Sequence, residues 1–290
     1  MEFRTKIEID KPHFQIEPCE EILFVGSCFA DAIGRRFSDE GFPATINPYG
    51  VMYNPASILH TIERWIPTQL EKGKLPRIVF LTLGTNHVYR LKSTGEIVDN
   101  CEKRPQKLFQ EEVLSVDTCV DYLRQAVVLL QKHRSDIQVV FTVSPIRYRK
   151  YGYHESQLSK AILLLAVDKL MSLETLESLD HLENLDTLDN LDNSRLSYFP
   201  AYELILDELR DYRFYASDML HPSEQAVGYI WERLVDSCFS PAACQYLEEW
   251  RPIKQALAHK PFNPESKEYQ AFQAHTQELL AAFRQKYSIR

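Results

Sequence analysis

Two features of this sequence carry the most chemical promise: a hydroxyl at the exit of an apolar strand, and an imidazole three residues after a carboxylate. In ILFVGSCFADAIGRRF (residues 22–37) the β-favouring run Ile22-Leu23-Phe24-Val25 stops at Gly26, after which Phe29, Ala30, Ile33 and Phe37 recur with helical spacing. Ser27 and Cys28 therefore fall on a turn into a helix, where backbone N–H groups gather and can stabilise an oxyanion. Ser27 could act there as a nucleophile, or could merely cap the helix. Cys28 is the alternative nucleophile, because a helix N-terminus lowers a thiol pKa, although the side chain after such a turn residue is expected to point into the core. In SDMLHPSEQAVGYIWERL (217–234) Asp218 precedes His221 by three residues and Pro222 opens the next helix. Proline biases His221 towards an extended backbone, so that its ring projects from the helix start. A carboxylate at that spacing can hold Nδ1–H and leave Nε2 to accept a proton from a hydroxyl. The same four residues could equally be a plain helix start.

Weaker candidates surround these two. LTLGTNHVY (81–89) places Gly84 and Asn86 after a second apolar run, where the Asn86 amide could reach an oxyanion or simply serve a turn. Gly50, in the loop NPYGVMYNPAS (47–57), could donate its N–H to the same charge. Arg147 follows Ser144-Pro145 and could hold a carboxylate or sulfate, or pair with an acidic side chain. Tyr151 and Tyr153, in RYRKYGYH (147–154), suit stacking on a sugar or ordinary surface packing.

These groups need a scaffold that brings distant segments to one edge. Short runs rich in Val, Ile and Phe at 22–25, 78–83 and 137–143 read as strands buried on both faces of a parallel sheet. Helical patterns lie between and after them, at 29–40, 55–66, 117–133, 155–171, 201–211 and 223–238. The alternation predicts an α/β protein, a three-layer α/β/α sandwich with a mainly parallel sheet, whose ligands sit beyond the C-terminal strand ends. Residues 1–240 make up this domain. Residues 241–290 read as two helices joined at Lys260-Pro261-Phe262-Asn263-Pro264, a helical extension packed on the domain and a possible route to an oligomer.

The net charge of −8 is a local property. Residues 173–193 repeat Leu-(Asp/Glu)-x and hold acids without Lys or Arg, leaving the rest of the chain near neutrality and without a nucleic-acid surface. A three-residue spacing drifts around an α-helix and spreads leucine over its whole circumference, so the stretch at about 172–194 reads as an insert rather than an amphipathic helix. Six cysteines lack a CxxC pair, and neither a metal site nor a cofactor is expected. No apolar run approaches the roughly 20 residues of a membrane helix, and the N-terminus lacks the apolar core of a signal peptide. A soluble, cytoplasmic protein is expected.

Ser after the first strand, then Gly50, then Asn86 after a later strand, then Asp-x-x-His near the end, resembles the block order of SGNH hydrolases, whose fold is flavodoxin-like. GSCFA (26–30), NPYGVMYNP, TVSPIR (142–147), YFPAYELILDELRDYRFYASDMLHPS (198–223) and HKPFNPES (259–266) resemble more specifically the GSCFA family, a bacterial family related to those hydrolases. The resemblance covers nearly the whole chain except the Leu-acid-x insert. It implies Ser27 as nucleophile, His221 as general base, Asp218 as its orienter, and an oxyanion hole from the N–H groups of Ser27 and Gly50 with Asn86. The activity it implies is hydrolysis of small acyl esters, acetyl above all, on a small molecule or carbohydrate. An acyltransferase, or a binding protein that retains the pocket without turnover, is the alternative. Cys28 departs from the usual motif, in which an acidic residue or serine flanks the nucleophile.

Overall fold

The computed structural model describes residues 4–73, 75–99, 101, 104–172 and 191–288. Its centre is a five-stranded, fully parallel sheet in the order β2-β1-β3-β7-β8. The strands are β1 (Ile22–Gly26), β2 (Ala44–Ile46), β3 (Ile78–Leu83), β7 (Gln138–Val143) and β8 (Leu196–Tyr198). The two-residue period of a strand divides its apolar side chains between two cores. Leu23, Val25, Val79, Leu81, Val139 and Phe141 face α2 (Pro55–Leu70), α3 (Val116–His133) and α4 (Tyr153–Ser172). Ile22, Phe24, Ile78, Phe80 and Val140 face α1 (Cys28–Asp39), α6 (Glu224–Cys238) and α7 (Pro241–Ala258). Each such side chain contributes about 1.5–3 kcal/mol by leaving water. The chain is thus an α/β/α sandwich, as its runs of Val, Ile and Phe require.

The helix starts follow local rules. Ser27, Asn54, Ser115, Ser223, Ser240 and Ser266 cap α1, α2, α3, α6, α7 and α8 (Lys267–Lys286), each accepting a hydrogen bond from a backbone N–H two or three residues on. The helical extension packs on the α/β body. Tyr246 of α7 is buried against Phe42 and Phe283, and its hydroxyl donates to Gly41 O at 3.0 Å.

Two features depart from the pattern read in the sequence. The segment expected as a helix over 201–211 is a short α5 (Ala201–Glu203) running into π-helical turns over 204–209, closed by Arg210 in the left-handed region at φ +40°. Within those turns Glu208 is buried, accepts the Ile7 N–H at 3.0 Å and lies 3.4 Å from Arg233 Nη1. The region after β3 holds a second sheet, with β4 (His87–Leu91), β5 (Ile97–Val98) and β6 (Phe109–Val113) antiparallel in the order β5-β4-β6. Its strands carry cross-strand charges such as Arg90 and Glu112, which obscure any apolar alternation. Residues 173–190 of the Leu-acid-x repeat lie outside the described residues. No helix among the described residues is long and apolar enough to cross a membrane.

Candidate active site

The strand order reverses between β1 and β3, and in open parallel sheets the crevice at that point is where ligands bind. Ser27 stands there, as the N-cap of α1 with φ −66° and ψ 175°. Glycine is obligatory just before it. Gly26 has φ +147°, and a Cβ built on it would lie 2.1 Å from the Thr82 carbonyl oxygen. Gly26→Ala is therefore expected to cost at least about 4 kcal/mol, since backbone cannot yield as a side-chain tip does. Urea unfolding measures it, and a loss below 1 kcal/mol would show that the turn relaxes.

A residue that the sequence reading passed over fixes this turn. Asn47 (φ +40°) accepts the Gly26 N–H at 2.8 Å through Oδ1 and donates through Nδ2 to Asp31 Oδ1 at 2.6 Å. Its own N–H donates to Phe24 O. The motif NPYG is the signal that could have pointed to it, since Asn tolerates left-handed torsions and bonds neighbouring backbone.

Around Ser27 the polar groups are largely engaged. Its Oγ accepts the Phe29 N–H at 3.2 Å, and its own N–H donates to Thr82 O at 3.0 Å. The side chain is only 1% exposed. Cys28, expected to point inward, is instead half-buried, with Sγ 3.4 Å from the Tyr53 hydroxyl. Burial, reinforced by that sulfur, pushes the Tyr53 hydroxyl above its ordinary range, so it remains a neutral donor. The three expected oxyanion donors are engaged within the protein, the Ser27 N–H with Thr82 O. The Gly50 N–H closes a turn onto Asn47 O at 2.8 Å. Asn86 is fully buried and donates through Nδ2 to Leu114 O at 2.7 Å, tying β4 to the start of α3. The Asn86 Oδ1 is buried and has no hydrogen-bond partner among the described residues. The first amide of α1, on Cys28, has no hydrogen-bond partner among the described residues.

The imidazole and its carboxylate meet directly. His221 Nδ1 lies 2.6 Å from Asp218 Oδ2, while Asp218 Oδ1 accepts the N–H groups of Leu220 at 2.8 Å and His221 at 3.0 Å. These backbone donors, then the imidazole, depress the Asp218 carboxyl to about 2. It is therefore ionised and can hold only Nδ1–H, leaving Nε2 as the basic nitrogen. Both side chains are 44% exposed.

Arg147 anchors this loop to the sheet. Its N–H donates to Leu220 O at 3.0 Å and Nη1 donates to Met219 O at 3.1 Å, across a residue held at φ +59°. Its guanidinium lies 4.4 Å from the Tyr153 ring centroid and faces Tyr215 and Tyr212 as well. Tyr151 is occupied otherwise: its ring stacks on His87 at 3.8 Å and its hydroxyl pairs with Tyr89 at 2.8 Å. Ser27 follows β1 and Arg147 follows β7, so both segments reach the same edge of the sheet with β3 between them. The axes of β1 and β7 then stand about 10 Å apart. Among the described residues no hydrogen bond joins Ser27 Oγ to His221.

A buried cation lies beneath this edge. Lys160 of α4 is 3% exposed and donates to Gly84 O at 2.6 Å, and a Cβ on Gly84 would lie 3.3 Å from Ser27 Cβ. Burial pushes the Lys160 ammonium down to about 7. Below that pH both folded and unfolded chains carry the proton and the burial cost is fully present. Between about 7 and the unfolded value near 10.4 the unfolded chain binds more protons, so stability rises with pH. Lys160→Met is expected to remove a rise of roughly 2–3 kcal/mol between pH 6 and 9. Chemical unfolding at both pH values reads it, and parallel profiles for the two proteins would refute it.

The GSCFA family model matches residues 21–76 and 69–234. The chain belongs to the GSCFA family. The model for the GSCFA domain protein, C-terminal domain, matches residues 250–289, which hold the end of α7 and all of α8. No curated protein matches the sequence. Solved structures similar to it include an acetyl esterase mutant with acetate ion, at 9% identity and a TM-score of 0.42 over 79% of this chain and 99% of that one. Another is a carbohydrate esterase family 3 protein from Talaromyces cellulolyticus, at 10% identity and a TM-score of 0.40 over 79% of this chain and 99% of that one.

Proposed function

We propose that this GSCFA protein is a serine hydrolase of the SGNH type that cleaves small acyl esters, acetyl esters foremost, carried on a small molecule or sugar. The Asp218–His221 contact at 2.6 Å carries the reading, because a carboxylate on Nδ1 is what turns an imidazole into an oriented base. Ser27 Oγ attacks the ester carbonyl, and His221 Nε2 takes its proton. The tetrahedral oxyanion collapses, the alkoxide leaves with that proton, and an acyl-Ser27 ester remains. Water then attacks the ester with the same base, releasing the acid and restoring Ser27. The Cys28 amide at the start of α1 is the oxyanion donor in this reading, aided by the helix dipole. Because Ser27 is 1% exposed, substrate entry must displace its cover. Hydrogen bonds of this kind commonly tighten only in the substrate complex.

The partial exposure of Cys28 beside a buried Ser27 favours a second reading, in which Cys28 is the nucleophile. Covalent labelling separates the two. A fluorophosphonate that adds one adduct on Ser27, with turnover of acetyl esters, supports the first. Iodoacetamide that abolishes turnover through Cys28, with no fluorophosphonate adduct, supports the second. Failure of both reagents, with no turnover across acyl lengths, rejects hydrolysis.

A further inference from the structure

Beside the Asp218–His221 loop lies a cleft of about 270 Å³, lined in part by Arg147, Gln157, Arg210, Asp211, Tyr212 and Tyr215. Its volume falls just below the roughly 300–1,000 Å³ of drug-sized pockets, which leaves room for one sugar-sized group. Two guanidinium groups line it, and neither forms an ion pair among the described residues. The single carboxylate, Asp211, is already engaged: Oδ1 accepts the Arg213 N–H at 2.9 Å and Oδ2 lies 3.5 Å from Arg213 Nε. The cleft therefore carries a surplus of positive charge on a chain whose net charge is −8.

Its aromatic walls are arranged for a ring. Tyr212 is 66% exposed, a large apolar face left open to solvent at the mouth. Arg147 is held flat by Tyr153, Tyr212 and Tyr215, and only Nη1 is used, on Met219 O. Its remaining donors suit the fork geometry by which arginine binds carboxylate or phosphate. Arg210 reaches the cleft from a left-handed turn that ends the π-helical segment. Through its N–H, the cleft-lining Arg147 bonds the carbonyl of Leu220, the residue before His221.

We infer that this cleft is a subsite for an anionic sugar, a carboxylated or phosphorylated monosaccharide, which on the proposed hydrolase reading is the carrier of the acyl group. Tyr212 stacks on the sugar face while Arg147 and Arg210 bind its anionic substituent. The role expected of Tyr151 and Tyr153 as stacking residues passes to Tyr212 and Tyr215.

Calorimetric titration of the full chain with glucuronate, glucose 6-phosphate and glucose tests the subsite without needing turnover. At least one anion is expected to bind tenfold or more tightly than glucose, and which anion does so identifies the substituent. Arg210→Gln is expected to abolish that preference, Arg210→Lys to retain part of it, and Tyr212→Ala to weaken whichever sugar binds. Equal binding of all three sugars, no binding at millimolar concentration, or a preference that survives Arg210→Gln would overturn the inference. Should Arg210→Gln fail to fold, unchanged affinity for the preferred sugar in a folded Tyr212→Ala protein overturns it instead. Turnover of p-nitrophenyl acetate by the unaltered protein tests the hydrolase reading separately. A protein inert to that ester, yet showing Arg210-dependent anion binding, keeps the subsite and loses the reaction.

Discussion

Ser27→Ala is expected to lower kcat for an acetyl ester by roughly 10⁶-fold, the effect of removing a nucleophile whose base and orienter stay in place. The same substitution separates chemistry from architecture. Ser27 Oγ also accepts the Phe29 N–H at the start of α1, so alanine removes a helix cap and costs about 1 kcal/mol of stability. A cap alone predicts that small loss with turnover intact. A nucleophile predicts the small loss together with near-complete inactivation. Steady-state kinetics and urea unfolding of one variant therefore decide between the two. Activity retained within tenfold would transfer the nucleophile to Cys28 or dismiss covalent catalysis altogether.

The second large effect belongs to Asp218→Asn, for which a fall in kcat of about 10⁴-fold is expected, the cost when the orienting carboxylate of such a triad is neutralised. Asparagine preserves the shape of the loop, because its Oδ1 can still accept the N–H groups of Leu220 and His221. What changes is the group facing Nδ1, from a carboxylate held ionised down to about pH 2 to an amide N–H₂. The ring must then present an unprotonated Nδ1 to that amide, which places its proton on Nε2 and removes the base. Activity within tenfold of the parent would show that His221 works without its carboxylate. Far-ultraviolet circular dichroism confirms that the fold is kept.

Both predictions concern short-range chemistry, and short-range order is what the linear chain encodes openly. The runs at 22–25, 78–83 and 137–143 are strands because Val, Ile and Phe on both faces suit a sheet buried on both sides. The serines and asparagine before the helices are caps because a hydroxyl or amide can reach an N–H only two or three residues on. Asp218 and His221 met as expected for the same reason: a three-residue spacing closes without help from elsewhere. Gly26 was likewise legible as a turn, although the Thr82 oxygen that makes it obligatory was not.

Partners distant in sequence escaped the reading because a hydrogen-bond donor does not announce its acceptor. Asn86 looked available for an oxyanion, yet packing carried its amide to Leu114 O. Tyr151 looked free to stack on a ligand, but β4 brought His87 beneath it. The second sheet was hidden by the charges on β4 and β6, which pair only once the strands lie side by side. Residue type and local spacing settled the family, the layered scaffold and the carboxylate–imidazole pair. The packing of segments far apart in the chain settled how deep Ser27 lies, which amides near it are engaged, and that Arg147 and Arg210 line a single cleft, because burial and long-range pairing exist only once the chain has closed on itself.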